Sequence, residues 1–288
     1  MVKKIFQFLL CLAVYMVVFM AVNAALPYSR GFSELKASGG NSLSLLFMLI
    51  NSAWICFTMY FITAHASVNG SRLFLNLVIV VFAISSFIAQ IETFVFGTVF
   101  PVLTKPDILL IMLSSLLSIA AAGFLTVLFF QDKNAGGYEW EFSIKTILKK
   151  LGITGLIYPC LYFLFGYFIA WRFEELRLFY SGSAADDIAN SYAATILNSQ
   201  ALLFVFQIFR GLLFGVFVLP LRKMIKSKNA FIISVCLVYL CTAVQLVIPN
   251  VLFPDMVRYA HLIEMTSSML LFGLITGFVM WGSDTAKK

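Results

Sequence analysis

His261 and Glu264 stand three residues apart in the segment 254–282, PDMVRYAHLIEMTSSMLLFGLITGFVMWG. On a helix that spacing makes them neighbours on one face. An imidazole beside a carboxylate can relay a proton, balance charge or ligate a cation. Arg210, in FQIFRGLLFG, is a permanent cation suited to an anionic group or to one of the carboxylates. Glu92, in AQIETFVFG, supplies a second carboxylate, and Gln90 and Gln207 add neutral donors and acceptors. All six sit within long apolar runs, where a polar group is costly, and they are the candidate ligand-binding residues. Glu92, His261 and Glu264 also form a candidate divalent-metal set, because His-x-x-Glu on one helix suits carboxylate metal sites in bundles.

Catalytic signatures are missing. The sequence has no H-E-x-x-H, no G-x-S-x-G and no G-x-x-x-x-G-K, so no catalytic residue is assigned and no cofactor beyond that metal is expected. Of the two histidines, His65 falls at the opposite end of its span from His261. That excludes a three-histidine zinc site or a bis-histidine haem within the chain.

The elements that must position these residues are membrane helices. Hydrophobic residues make up 61% of the 288, charged residues 11%, and mean hydropathy is +0.97. No soluble domain has that balance. The apolar runs are continuous and about twenty residues long, which fits helices and not the alternating segments of about ten in a β-barrel. The expected fold is therefore an all-α polytopic integral membrane protein, with spans at about 5–26, 44–64, 73–96, 107–130, 150–171, 199–220, 230–249 and 257–281. The first has a short basic start, Lys3 and Lys4, and is expected to remain as an uncleaved anchor. Cys11, Cys56, Cys160, Cys236 and Cys241 all lie in apolar runs and read as small hydrophobes.

The formal charge of +7 resides in loops beside spans, so it reports topology and not nucleic-acid binding. With the N-terminus inside, thirteen of the twenty Lys and Arg fall on the inner side and six on the outer, with Arg210 between. Both termini are thus expected in the cytoplasm, and a small chain without long loops suits a bacterial inner membrane.

The chain divides as 1–131, a first four-helix half; 132–149, a cytoplasmic loop with an interfacial helix; and 150–288, a second half that includes the outer loop 172–198. A tandem repeat of four spans plus four is supported by matches in chain order. NSLSLLF at 41–47 recurs as NSQALLF at 198–204, VLTKPD at 102–107 as VLFPD at 251–255, and SSLL at 114–117 as SSML at 267–270, while Gln245 stands where Gln90 does. Halves with an even number of spans keep one orientation, so the relating axis runs along the membrane normal.

Counted inward from the outer side, every strong polar group lies in the outer half or at the midplane. Arg210 is about eleven residues into span six, roughly 16 Å deep. Glu264 is the carboxylate nearest in depth and is expected to pair with it, leaving Glu92 to face His261. The G-x-x-x-G strips Gly211/Gly215 and Gly273/Gly277 are expected to pack span six against span eight.

This pattern points to a multi-pass membrane binding or transport protein, with a site for an ion, a polar solute or a lipid headgroup in the extracytoplasmic half of the bilayer. Membrane lipids are the expected partners. Two other classes fit the same residues. One is a non-catalytic subunit of a larger membrane complex, docking partner subunits through loop 172–198. The other is a membrane-embedded enzyme acting on a lipid or lipid-linked substrate, with His261 and a carboxylate as base and acid.

Overall fold

The computed structural model describes residues 2–38, 42–96, 100–136, 143–182, 188–190, 192–193, 202–249 and 252–282. Among them are eight helices long and apolar enough to cross a membrane: Val2–Ala25, Ser44–His65, Gly70–Val95, Lys105–Phe130, Ile144–Arg172, Leu202–Met224, Lys228–Val247 and Asp255–Trp281, spans one to eight in chain order. The protein is an all-α, multi-pass integral membrane protein. We call the end bearing Glu92 and His261 the outer end, following the lysine and arginine count.

Sequence and packing agree on what each span faces. Leu45, Leu109, Phe124 and Phe278 stand exposed on the perimeter, where the solvent is lipid. The interior holds small polar residues, Ser52, Thr58, Ser118, Thr126 and Ser234, each bonding the carbonyl four residues earlier. Such back-bonding satisfies a hydroxyl inside a dry bundle without a partner helix.

The glycine strips seat spans six and eight on other helices, with the Met280 Cε of span eight reaching to 3.0 Å from a Cβ at Gly215. A Cβ at Gly211 would stand 2.7 Å from Tyr158 Cβ and 2.9 Å from Gly155 Cα, so span six lies flat on span five. A Cβ at Gly273 would stand 3.0 Å from Cys236 Cα, and one at Gly277 3.2 Å from Ile232 Cα, so span eight lies on span seven. A small-residue strip fixes how close a neighbour comes but not which neighbour. Gly155, opposite Gly211, makes span five the better fit.

Span three has a π-helical turn at Ala83–Phe87. The extra residue there rotates everything beyond it, Gln90 and Glu92 included, relative to a regular α-helix. Span five also begins earlier than expected. Residues 137–142, with Trp140 and Phe142, lie outside the described segments, but from Ile144 to Phe168 the helix is continuous. Ile144 and Leu148 are thus on the first turns of the span, not on a separate interfacial helix. Lys150 Nζ donates to the carbonyls of Met280 (3.2 Å) and Gly282 (2.7 Å), closing the C-terminal end of span eight.

Two short amphipathic helices cover the outer end. Arg30–Ser38, between spans one and two, places Phe32 on Leu103 and Ile108. Glu174–Ser181, between spans five and six, places Leu176 among Trp171, Val257 and Ala260. The first is anchored by Asp107, which is buried at the start of span four. Its carboxylate accepts from the Ser29 amide (2.7 Å), the Ser29 hydroxyl (2.7 Å), the Thr104 amide (3.0 Å) and the Thr104 hydroxyl (2.6 Å). Asp107→Ala is expected to cost about 2 kcal/mol, the loss of a helix cap plus unsatisfied donors. Unfolding of the purified variant in detergent would measure it, and a change near zero would show that those bonds are replaced by water.

Candidate functional site

Arg210 is almost fully enclosed on span six, and its Nη1 meets Glu92 Oε2 of span three at 2.8 Å. Gln207, one turn away and wholly buried, ties both ends of this pair. Its Nε2 donates to Glu92 Oε1 (3.1 Å) and its Oε1 accepts from Arg210 Nη1 (3.0 Å). From span five, the Tyr162 hydroxyl reaches Glu92 Oε1 at 3.5 Å, and the guanidinium lies 5.4 Å from the centre of the Tyr158 ring. Arg210 Nε is buried and has no hydrogen-bond partner among the described residues.

A second chain of bonds runs beside the first. His261 Nδ1 is 3.1 Å from Glu264 Oε2 on span eight, and its Nε2 is 3.0 Å from the Tyr180 hydroxyl on the outer Glu174–Ser181 helix. Burial pushes the Tyr180 phenol well up, and the Glu92 and Glu264 carboxylates add to this. Tyr180 therefore keeps its proton, and its hydroxyl holds one ring nitrogen of His261 while the other faces the Glu264 carboxylate. Beneath both chains the rings of Tyr158, Phe214, Tyr239 and Phe272 form an aromatic floor on the inner side, five of their pairs having centroids 4.9–5.6 Å apart.

The pairing expected from depth is exchanged. Arg210 takes Glu92 and His261 takes Glu264, because span three packs against span six and the π-turn aims Glu92 at it. Gln90 is half-buried and, two residues from Glu92, points to a different side of its helix; it shares no hydrogen bond with this network among the described residues. Arg258 is also separate. It is fully buried and bonds the carbonyls of Leu246 and Val247 and the carboxylate of Asp255, a clamp between spans seven and eight. Glu92, His261 and Glu264 do not converge as metal ligands. Among the described residues no three His, Cys, Asp or Glu side chains are placed to hold a metal ion.

Three members escaped the sequence reading: Tyr158, Tyr162 and Tyr180. Tyr158 and Tyr162 are spaced i, i+4, a signal for a shared face that was available. Tyr180 stood in a loop segment, and only the fold brings it to His261. Gln200, Asp186 and Asp187 lie outside the described segments. A cavity of about 400 Å³ lined by Thr93, Phe94, Phe100, Pro101, Lys105 and Ile108 adjoins the helix of Glu92 but includes none of the six candidate residues.

Fold and network together define an integral membrane protein of eight spans carrying a buried, charged, hydrogen-bonded network toward one end of its bundle. The chain matches no protein-family model, no curated protein and no solved structure.

Proposed function

We propose that this is a membrane binding and transport protein whose network takes a small polar solute or lipid headgroup bearing a positive group, from the extracytoplasmic half of the bilayer. One observation carries the reading: Glu92 takes the buried Arg210 guanidinium, while a second carboxylate, Glu264, is held by His261 and pairs with no lysine or arginine among the described residues. With one permanent cation, Arg210, among two carboxylates, the cluster is matched only when a proton or a further cation joins it, since a membrane interior does not tolerate an unpaired charge. A register clamp needs one ion pair, and the second carboxylate is surplus to that role. The buried Arg210 Nε–H leaves a donor for an acceptor on the same ligand, which favours a zwitterion over a bare metal ion. Both termini lie in the cytoplasm on the charge count, and the membrane is the bacterial inner membrane.

Thermal unfolding in lipid nanodiscs tests this against a panel of sodium, potassium, choline, ethanolamine, phosphocholine and free amino acids. A probe with a positive group raises the melting temperature, by an amount equivalent to about 2.7 kcal/mol at a hundred times its Kd, and Glu264→Gln abolishes the rise. If no probe stabilises the protein, or if Glu264→Gln responds like the wild type, the site does not bind such a solute.

A further inference from the structure

The packing order of the spans maps onto itself when the halves are exchanged. Span one packs on spans two and four, and span three on four; span five packs on six and eight, and span seven on eight. Across the halves, span two lies on span seven and span three on span six, two contacts that the exchange interchanges. The π-turn of span three lies on span seven, a contact that the exchange leaves in place. Details follow the same rule. Gly123 of span four faces Val78 of span three, as Gly277 of span eight faces Ile232 of span seven, a glycine against a β-branched side chain in each half. The short outer helix after span one has its mate in the one after span five.

A two-fold axis has a specific signature: corresponding elements of the two halves meet on it. At the inner end, Ala66, just past span two, forms an isolated antiparallel bridge with Ile225, just past span six. The Ser67 amide and hydroxyl both donate to the Met224 carbonyl at 2.7 Å. At the outer end, Phe100 and Phe253 stack edge to face with centroids 5.1 Å apart. Phe100-Pro101 and Phe253-Pro254 precede spans four and eight at the same displacement as the serine pairs 114–115 and 267–268. The match of VLTKPD to VLFPD implies a different displacement within uninterrupted helices, so the Phe-Pro pairs give the register.

We infer that the two halves are related by an axis along the membrane normal, closed on the inner side by Ala66–Ile225 and on the outer side by Phe100–Phe253, and that these contacts are the two gates of an alternating-access transporter held here in its occluded state. The inference rests on the transport reading above. Glu92 comes from the first half and Arg210, Gln207 and Tyr162 from the second, so the ion pair spans the surface along which the halves move. The inner contact is the backbone bridge and the two Ser67 bonds within apolar packing, and the outer contact is a ring pair whose Phe253 also touches Phe179 and His261. Contacts of this apolar and backbone kind can part at one end while the other holds, as rocking of two parallel repeats requires.

The test places S86C, on the buried π-turn between the gates, in a C160S background whose remaining cysteines are buried. An impermeant maleimide is added to right-side-out or inverted vesicles, with A66C/I225C or F100C/F253C left free or joined by a short bis-thiosulfonate. Without crosslinks the S86C thiol labels from both sides. The inner crosslink lowers labelling from the cytoplasmic side by about tenfold or more and spares the outer side, and the outer crosslink does the reverse. Labelling that neither crosslink changes, labelling from one side only throughout, or none from either side overturns the inference. If this side-selective pattern holds while no cationic probe stabilises the protein, the gates stand and the ligand assignment falls. If probes bind and the pattern is absent, the site stands without the gates.

Discussion

Glu92→Ala destabilises the folded protein by about 3 kcal/mol, while Glu92→Met combined with Arg210→Met stays within about 1 kcal/mol of the wild type. The single change strands a guanidinium whose side chain is 5% exposed and leaves it, among the described residues, the Gln207 side-chain carbonyl and the Tyr158 ring. A buried charge without its counterion is among the costliest defects a membrane bundle can carry. Glu92 itself is 30% exposed, which holds the estimate to the lower end of the usual range for a broken buried pair. Replacing both by methionine removes the stranded charge and fills the space with a flexible apolar chain. Unfolding in mixed micelles or nanodiscs measures all three. Equal losses in the single and double variants would mean that the pair contributes net stability, and would favour a purely structural role.

Gly211→Leu is the second large effect, a loss of about 3 kcal/mol together with loss of any solute-dependent stabilisation. A Cβ at that position meets Gly155 Cα and the Thr154 carbonyl at 2.9 Å, and these are backbone atoms that cannot rotate aside. Span six must therefore lift from span five, and Arg210, the residue before, moves with it. Gly152→Ala is the control in the same pair of spans. Nothing stands within 4 Å of a Cβ there, so alanine's better helix propensity makes the change neutral or stabilising by about 1 kcal/mol. If the two variants unfold alike, close approach of the helices is not what holds this interface.

The eight spans were legible because lipid solvation demands about twenty apolar residues per helix and leaves few alternatives. The polar residues of the site were legible for the same reason, since Glu92, Arg210, His261 and Glu264 violate that demand. Their pairing was not. Position along a helix gives depth, but which carboxylate reaches Arg210 depends on helix order and on rotation about each axis. The π-turn at Ala83–Phe87 sets that rotation for Glu92, and no residue in AISSF announces it. The strips at Gly211 and Gly273 showed that close contacts exist, and their partners on spans five and seven came only with the fold. Tyr180 belongs to the network through a short helix too brief to stand out in a polar loop. The Arg30–Ser38 helix was missed in the same way, although Phe32 and Leu35 carry an i, i+3 signal.

The central claim is that the Glu92–Arg210 and His261–Glu264 network binds a solute or headgroup. Native mass spectrometry of wild-type protein released from lipid nanodiscs, beside the stable Glu92→Met/Arg210→Met variant, tests it most directly. The account predicts a discrete added mass on the wild type, assignable to a zwitterionic or cationic solute or headgroup, and its absence from the double variant. Indistinguishable spectra from two equally stable proteins would contradict it and make the network a structural clamp.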